Sequence, residues 1–177
     1  TSNETVVRGL GEIHLKAKLA RMASQYKLEV DTQPPRIPYC ETITGSAEAI
    51  YRHKKQSGGA GQFGEVHLRV APRERGAGFE FVDAVKGGTI PGQFMPAVEK
   101  GVREALTAGV IAGYPVVDVQ VTVYDGKYHT VDSKEIAFVT AARKAVIAAI
   151  LEAKPIVLEP IVDVEISAPD AATGDIT

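Results

Sequence analysis

Hydrophobic positions in the first part of the chain predict a strand, a helix and a second strand. Residues 5–7 are Thr, Val and Val, a β-branched run that favours a strand. Apolar side chains then recur at the spacing of one helix face: Leu15, Leu19, Met22 and Tyr26. Residues 27–31 alternate like a strand. We therefore expect a β-α-β unit of roughly 30 residues, which is too short to bury a core of its own.

The middle of the chain predicts a complete α+β unit. Val66, Leu68 and Val70 alternate with polar residues and indicate a half-buried strand, which we expect to pair with residues 49–55 as a hairpin. Further extended segments are expected at residues 37–44, 79–82, 116–124 and 161–166, and helices at about 94–109 and 132–154. The second helix is rich in alanine and apolar on most sides, which predicts burial. Asp132 and Glu135 have the spacing of a capping box at its start.

Composition describes an ordinary globular chain and removes several classes of function. The 177 residues are 45% hydrophobic, and 20 basic against 22 acidic side chains give a net charge of −2. This excludes a strongly basic nucleic-acid coat but leaves room for a local basic patch. The single cysteine, Cys40, excludes an internal disulfide and fits a reducing compartment. No apolar run is long enough for a membrane span and no signal peptide is visible, so we expect a soluble, cytoplasmic protein.

Glycines 59, 61 and 64 match the spacing of a dinucleotide-binding loop, but the context is wrong for it. Such a loop works between a strand and a helix, whereas here a strand is predicted to follow. With Val66 the pattern also fits the glycine loop of protein kinases, whose other motifs the sequence lacks. There is no phosphate-binding loop of the form G-x-x-x-x-G-K-[ST]. We therefore expect no nucleotide cofactor in this chain.

Two interpretations of the glycine-rich segment stay open on the residues alone. In the first, the segment is a flexible hairpin tip and has no further role. Alternatively, its bare backbone allows a close approach to a large surface. The basic and amide side chains just before it suit phosphate and sugar contacts on RNA, which favours the second interpretation: Arg52, His53, Lys54, Lys55 and Gln56.

The loop before the second predicted helix contains His129, Asp132 and Ser133, which are the residue types of a hydrolytic triad. Asp132 and Ser133 are instead expected to cap the helix, and there is no nucleophile elbow. The loop is either a capped turn or a segment that presents Lys127, Tyr128 and His129 to a partner. The four histidines lack metal-ligand spacing, so no metal is expected.

Seven segments distributed along the chain carry a family pattern. They are residues 9–15, 53–64, 87–91, 106–121, 124–133, 153–161 and 173–175. The second of them contains Ser-Gly-Gly-Ala-Gly-Gln, and the fifth contains Tyr-His-Thr-Val-Asp-Ser. In this order they resemble the elongation factor G family of bacterial translation factors, and the resemblance covers nearly the whole chain.

The resemblance implies an α+β fold and a division into three parts. Residues 1–39 would be the C-terminal half of domain III, a partial ferredoxin-like β-α-β unit. Residues 40–156 would be a complete domain IV, with the β-α-β fold of the second domain of ribosomal protein S5 and its rare left-handed crossover. Residues 157–177 would be the first strand of domain V. Both ends of the chain would then be cuts through domains, and the G domain and domain II would lie outside it.

The resemblance also implies a role in ribosomal translocation. The full factor would hydrolyse GTP with Mg²⁺ in its G domain, whereas this chain would catalyse nothing and hold no cofactor or metal. Domain IV would enter the decoding site of the small ribosomal subunit and contact tRNA and mRNA. The factor would be a monomer and would not bind a membrane. The tip that contacts RNA would comprise Lys54, Lys55, Gln56, Ser57, Gly58, Gly59, Ala60, Gly61, Gln62, Lys127, Tyr128 and His129.

Some positions depart from the family pattern and leave alternatives open. Ala60 removes a possible phosphate contact, and Glu65 is expected to add an anionic group near RNA. Lys16 and Lys18 stand where the family helix is often acidic or apolar. Together they are typical of a divergent second copy, so a ribosome-recycling or otherwise specialised paralogue is the first alternative. A stand-alone RNA-binding module without a GTPase and an enzyme using His129 and Asp132 are alternatives of other classes. The tip sequence disfavours a ribosome-protection protein.

Overall fold

A computed structural model of the chain describes residues 5–35, 37–56 and 61–165. The chain divides into two compact units, Thr1–Pro38 and Tyr39–Thr177. In the first unit the predicted helix is confirmed as α1, Glu12–Tyr26. The predicted strands at residues 5–7 and 27–31 are wrong, because neither segment lies in a strand. Lys27 instead adopts a left-handed conformation that ends α1, and the described part of this unit offers no strand as a pairing partner.

The second unit contains a four-stranded sheet and two helices. In chain order the strands of the sheet are β2 (Ala47–Lys55), β3 (Gln62–Pro72), β4 (Glu80–Asp83) and β5 (Val119–Lys127). The helices are α2 (Met95–Ala108), which follows a 3₁₀ turn, and α3 (Glu135–Glu152). The order across the sheet is β2-β3-β5-β4, with β4 parallel to β5 and the other neighbours antiparallel. The predicted α+β class and the predicted hairpin of β2 and β3 are confirmed.

A separate two-stranded ribbon joins β1 (Cys40–Ile43) to β6 (Pro155–Leu158). The last strand was expected at residues 161–166, but residues 161–165 lie in no strand and residue 166 is outside the described residues. The strand forms earlier because the residues just after α3 are the ones that reach β1. The predicted turn at residues 171–177 also lies outside the described residues.

The core lies between one face of the sheet and the two helices. Val66, Leu68 and Val70 of β3 are fully buried, as the alternation predicts. The matching positions of β5 are buried as well: Val119, Val121 and Val123. The predicted burial of α3 is confirmed, since eight of its residues are buried and Phe138 stacks on Phe94 at 4.8 Å between ring centroids. Within the described ranges, no helix combines the length and hydrophobicity that a membrane crossing requires.

Glu41 of β1 is fully buried, and among the described residues its carboxylate is hydrogen-bonded by main-chain N–H groups alone. Its Oε2 accepts hydrogen bonds from Val110 and Ile111 at 2.7 and 3.1 Å. Its Oε1 accepts from Ala112 and Tyr114 at 2.8 and 3.1 Å. Burial raises the pKa of Glu41, but the four hydrogen bonds outweigh burial and hold the pKa below its ordinary value. The carboxylate thereby fixes the turn between α2 and β5.

We expect Glu41→Gln to lower the free energy of unfolding by about 3 kcal/mol at neutral pH, because the amide NH₂ leaves two buried N–H groups without an acceptor. The pKa of Glu41 is lower in the folded state, so the stability it contributes is complete above about pH 4.3 and is lost as the pH falls through the folded pKa. Urea titrations of both proteins should therefore differ most at neutral pH and converge in acid. Glu104→Gln, on the exposed face of α2, is the control. Equal midpoints at neutral pH would contradict this role.

Gly101 of α2 lies against the backbone of α3, and a Cβ there would overlap the carbonyl oxygen of Val139. In an ordinary helix Gly→Ala stabilises by up to about 1 kcal/mol. Here we expect Gly101→Ala to destabilise by about 2 kcal/mol, because the two helices must separate. Thermal unfolding beside Lys100→Ala, an exposed neighbour on the same helix, measures the difference. A rise in melting temperature would show that the helices are not held this close.

Candidate RNA-binding tip

The sheet brings the two predicted tip loops to the same end of the second unit. The β2–β3 ladder ends at the pair Lys55 and Gln62, so residues 56–61 connect the strands. Ser57, Gly58, Gly59 and Ala60 lie outside the described residues. β5 runs beside β3 as far as Lys127, and the loop that follows it returns to the start of β3 through a bridge between Phe63 and Ser133.

Asp132 joins the two loops by hydrogen bonds. Its Oδ1 accepts from the N–H of Gly61 at 3.1 Å, and its carbonyl oxygen accepts from the N–H of Phe63 at 2.9 Å. Ser133 adds a third bond by donating from Oγ to the carbonyl of Phe63 at 3.0 Å. Gly61 is buried, and a Cβ at this position would lie 3.0 Å from the Asp132 carboxylate. We call these four residues, Gly61, Phe63, Asp132 and Ser133, the loop clamp.

The loop clamp overturns the capping box expected at Asp132 and Glu135. The helix α3 begins at Glu135 with Lys134 as its N-cap, and no side chain caps it. The oxygens of Asp132 and Ser133 are already engaged by the other loop, which lies about 70 residues away in the sequence. Nothing in the local sequence indicates this pairing. The sequence therefore identified the loop correctly but did not reveal the hydrogen bonds by which Asp132 and Ser133 join it to Phe63 and the hairpin.

His129 is held by its own loop in a defined orientation. The ring nitrogen Nδ1 accepts hydrogen bonds from the main-chain N–H groups of Val131 and Asp132 at 3.3 and 3.2 Å. The main-chain N–H of His129 donates to Ser133 Oγ at 2.8 Å. When the ring is neutral, an accepting Nδ1 assigns the proton to Nε2. The side chain is 54% exposed, so the ring offers a hydrogen-bond donor outside the loop. Ser133 Oγ bonds main-chain groups and not the imidazole, an arrangement unlike that of a catalytic triad.

The remaining tip residues surround this structure. Five exposed side chains lie on the strand ends and adjoining loop segments: Lys54, Lys55, Gln56, Lys127 and Tyr128. Gln62 is half-buried, and its Oε1 lies 3.2 Å from Nε2 of His53. The structure therefore assembles exposed cationic, aromatic and imidazole groups beside the end of the hairpin. Gly61 differs from them because it is buried in the loop clamp.

Glu65 does not add a free anionic group near the tip, contrary to the expectation from sequence. The residue is 3% exposed. Arg52 Nε donates to its Oε2, His67 Nε2 lies 2.9 Å from Oε1, and Lys127 Nζ lies 3.7 Å from Oε1. Burial raises the pKa of Glu65, but its bonds to Arg52 and His67 and the charges of Arg52 and Lys127 outweigh burial, so the pKa lies below its ordinary value. The carboxylate is charged and internally compensated.

Comparisons with known proteins agree with the geometry. A family model described as "Elongation factor G, domain IV" matches residues 35–154. A protein named elongation factor G from Dehalococcoides mccartyi is 50% identical over 99% of this chain, and an elongation factor G-like protein from Thermotoga maritima is 48% identical over 99% of it. This chain spans about a quarter of their lengths, 25% and 26%. A crystal structure of a Thermus thermophilus protein superposes with a TM-score of 0.77 at 41% identity, covering 84% of this chain and 22% of that one.

We expect Asp132→Ala to release the hairpin end from the second loop, because the acceptor of the Gly61 N–H is lost. The free energy of unfolding should fall by about 1 kcal/mol, and the Gly61 amide should exchange faster with solvent. Asp132→Asn retains a carbonyl oxygen at the same place and should stay close to wild type. Amide exchange followed by NMR separates the two variants. If Gly61 exchanges equally fast in all three proteins, the side-chain bond does not hold the hairpin end.

Proposed function

The chain belongs to the elongation factor G family, and we propose that it forms the part of a ribosomal translocation factor that enters the decoding site of the small subunit. In this role it promotes the GTP-dependent movement of tRNA and mRNA during translation elongation. The single observation that carries the proposal is the exposed His129, held by hydrogen bonds beside a clamped hairpin end within a domain IV fold.

The chemistry of the tip suits an RNA duplex. An A-form helix presents a wide, shallow minor groove with 2′-hydroxyls, which proteins recognise by shape and by hydrogen bonds. The Nε2 donor of His129 matches a 2′-hydroxyl or a phosphate oxygen in such a groove. Lys54, Lys55 and Lys127 supply charge for the phosphates, and Tyr128 supplies an aromatic surface. Backbone approach by Ser57, Gly58, Gly59 and Ala60, supported by Gly61 and Gln62, completes the proposed contact.

The loop clamp supports this role because it restricts the conformations of the two loops before RNA binds. A loop that becomes ordered only on binding loses affinity to the entropy of ordering. Here two loops are joined through main-chain groups of Gly61 and Phe63, so the donor of His129 and the hairpin end keep a fixed relation. Gly61, Phe63 and His129 then meet the RNA in a preformed arrangement, which suits recognition of a duplex by its shape.

GTP hydrolysis belongs, in this proposal, to another part of the full-length protein. In the described residues no group of three or more His, Cys, Asp and Glu side chains is placed to hold a metal ion. The sequence also lacks a phosphate-binding loop. Because the family implies GTP and Mg²⁺ for the full-length protein, we assign both to a G domain outside this chain. The role of this chain is binding and not catalysis.

The remaining features of the proposal follow from the family. The partner is the ribosome, through its small-subunit decoding site with bound tRNA and mRNA. The factor works as a monomer in the cytoplasm, away from membranes. We assign residues 1–39 to domain III, 40–156 to domain IV and 157–177 to domain V. The alternatives of a specialised paralogue and of an RNA-binding module without a GTPase are outcomes of the experiment below.

The test is a toeprint assay of mRNA movement on pre-translocation ribosomes, with GTP and the full-length factor that carries this chain. Wild type should shift the toeprint by one codon. We expect His129→Ala to slow the shift by about tenfold, the effect of losing one well-placed hydrogen bond. His129→Asn keeps an acceptor that can replace Nδ1 but removes the Nε2 donor, so it should be slow as well. His14→Ala, a histidine of α1, is the matched control.

Each other result has a definite meaning. If only the alanine variant is slow, His129 shapes its loop and does not touch RNA. If wild type hydrolyses GTP on ribosomes without moving the toeprint, translocation is rejected and ribosome recycling becomes the leading function. If wild type neither hydrolyses GTP nor moves the toeprint but still binds RNA, the chain is an RNA-binding module of another kind.

A further inference from the structure

A row of three charged residues crosses the sheet below the tip. In the register of the strands, Glu65 of β3 lies opposite Arg52 of β2 on one side and opposite Lys127 of β5 on the other. Glu65 is three residues from Gln62, the first residue of β3, which places the row about 10 Å from the end of the hairpin. We call Arg52, Glu65 and Lys127 the charged row.

The charged row exposes its cations and buries its anion. The side chain of Arg52 is 57% exposed and that of Lys127 is 61% exposed, whereas that of Glu65 is 4% exposed. Glu65 faces both cations, and Asp125, two residues before Lys127 on β5, adds a second carboxylate beside them, so the row exposes two cations without an excess of charge. Lys54 lies two residues after Arg52 on β2, on the same face, so exposed cations continue to the tip.

Glu65 fixes the position of the Arg52 guanidinium but does not occupy all of its hydrogen-bond donors. Arg52 bonds Glu65 through Nε, which leaves the two NH₂ groups of its fork for another acceptor. His67 approaches the other carboxylate oxygen at 2.9 Å, so Glu65 is itself fixed from the opposite side. Asp125 Oδ2 lies 3.8 Å from the other ring nitrogen of His67, Nδ1. An arginine side chain loses conformational entropy when it binds a ligand. Because Glu65 already restricts the rotamers of Arg52, less entropy is lost on binding.

We propose that Arg52, beside Lys127 of the tip, extends the contact with the phosphate backbone of RNA below the end of the hairpin, and that Glu65 is the residue that positions Arg52. This rests on the proposed function and deepens it by extending the RNA-binding surface from the loops onto the open face of the sheet. The ligand is a phosphodiester chain, because planar guanidinium groups and lysine ammonium groups pair well with phosphate oxygens.

The test uses the 177-residue chain and an RNA duplex of about 16 base pairs, titrated between about 50 and 200 mM KCl. Binding is followed by anisotropy, and the Nε–Hε signal of Arg52 is followed by NMR. Arg52→Gln and Lys127→Gln should each weaken binding about fivefold and reduce the salt slope by about 1. Glu65→Gln should also weaken binding, although it makes the protein more positive.

Glu48→Gln is the control with the same charge change. Glu48 lies on β2, on the same face as Arg52, and pairs there with Arg69 at 2.9 Å. Because it also removes one negative charge, it should leave binding unchanged or tighten it. Arg52→Lys keeps the charge and the fold but loses the fork. It should weaken binding about threefold, which keeps the proposal testable should Glu65→Gln fail to fold.

Two results would overturn the inference. If Glu65→Gln tightens binding as much as Glu48→Gln does, Glu65 only neutralises the cations. If amides of the tip shift on adding RNA while the Nε–Hε signal of Arg52 stays in place, RNA does not reach Arg52. The latter result leaves the proposed function intact. Conversely, translocation can fail in the toeprint assay while the row binds RNA, so the two failures are distinguishable.

Discussion

The carboxylate of Glu41 is the constraint on which the geometry of the second unit depends. It is buried without a cation and is satisfied by four N–H groups in the turn between α2 and β5. The main chain of Glu41 also bonds Pro115 and Val117, which fixes where the approach to β5 begins. From there β5 pairs with β3 as far as Lys127, with one shift of register between His67 and Leu68, and the loop after Lys127 returns to Phe63. A residue of β1 thus fixes the place at which the chain enters the strand that leads to the tip.

Glu41 and Glu65 show two ways of keeping a carboxylate charged inside a protein. For Glu41 the compensating charge is the partial charge of peptide groups, which belong to one short turn. For Glu65 it is supplied by side chains on three different strands. The first arrangement holds backbone in place, whereas the second holds side chains in place. Their positions match this difference, since Glu41 lies against the turn between α2 and β5 and Glu65 lies three residues from the start of β3, near the tip.

The sequence predicted those elements whose pattern is local. The alternation in β3 and the apolar surface of α3 reflect burial of nearby residues, and both were confirmed. The stripe of α1 predicted the helix correctly, although no residue of α1 is buried. Errors arose where a local pattern competed with a distant partner. Asp132 and Glu135 have the spacing of a cap, but Asp132 bonds Gly61 instead. Glu65 reads as an exposed acid by its place after the tip, yet cations from β2 and β5 enclose it. Such contacts depend on strand register, which no short window of sequence contains.

The ladders on both sides of β3 also have a mechanical consequence. This strand has 11 residues, which is about 36 Å of extended chain, and it bonds to β2 along one edge and to β5 along the other. Hydrogen bonds of an antiparallel ladder run perpendicular to the strands. A load applied to the tip along β3 is therefore shared by all of these bonds at once, and is not concentrated on one bond after another. The domain should therefore resist compression along β3, and a force applied at the tip should reach the rest of the sheet without separating the strands there.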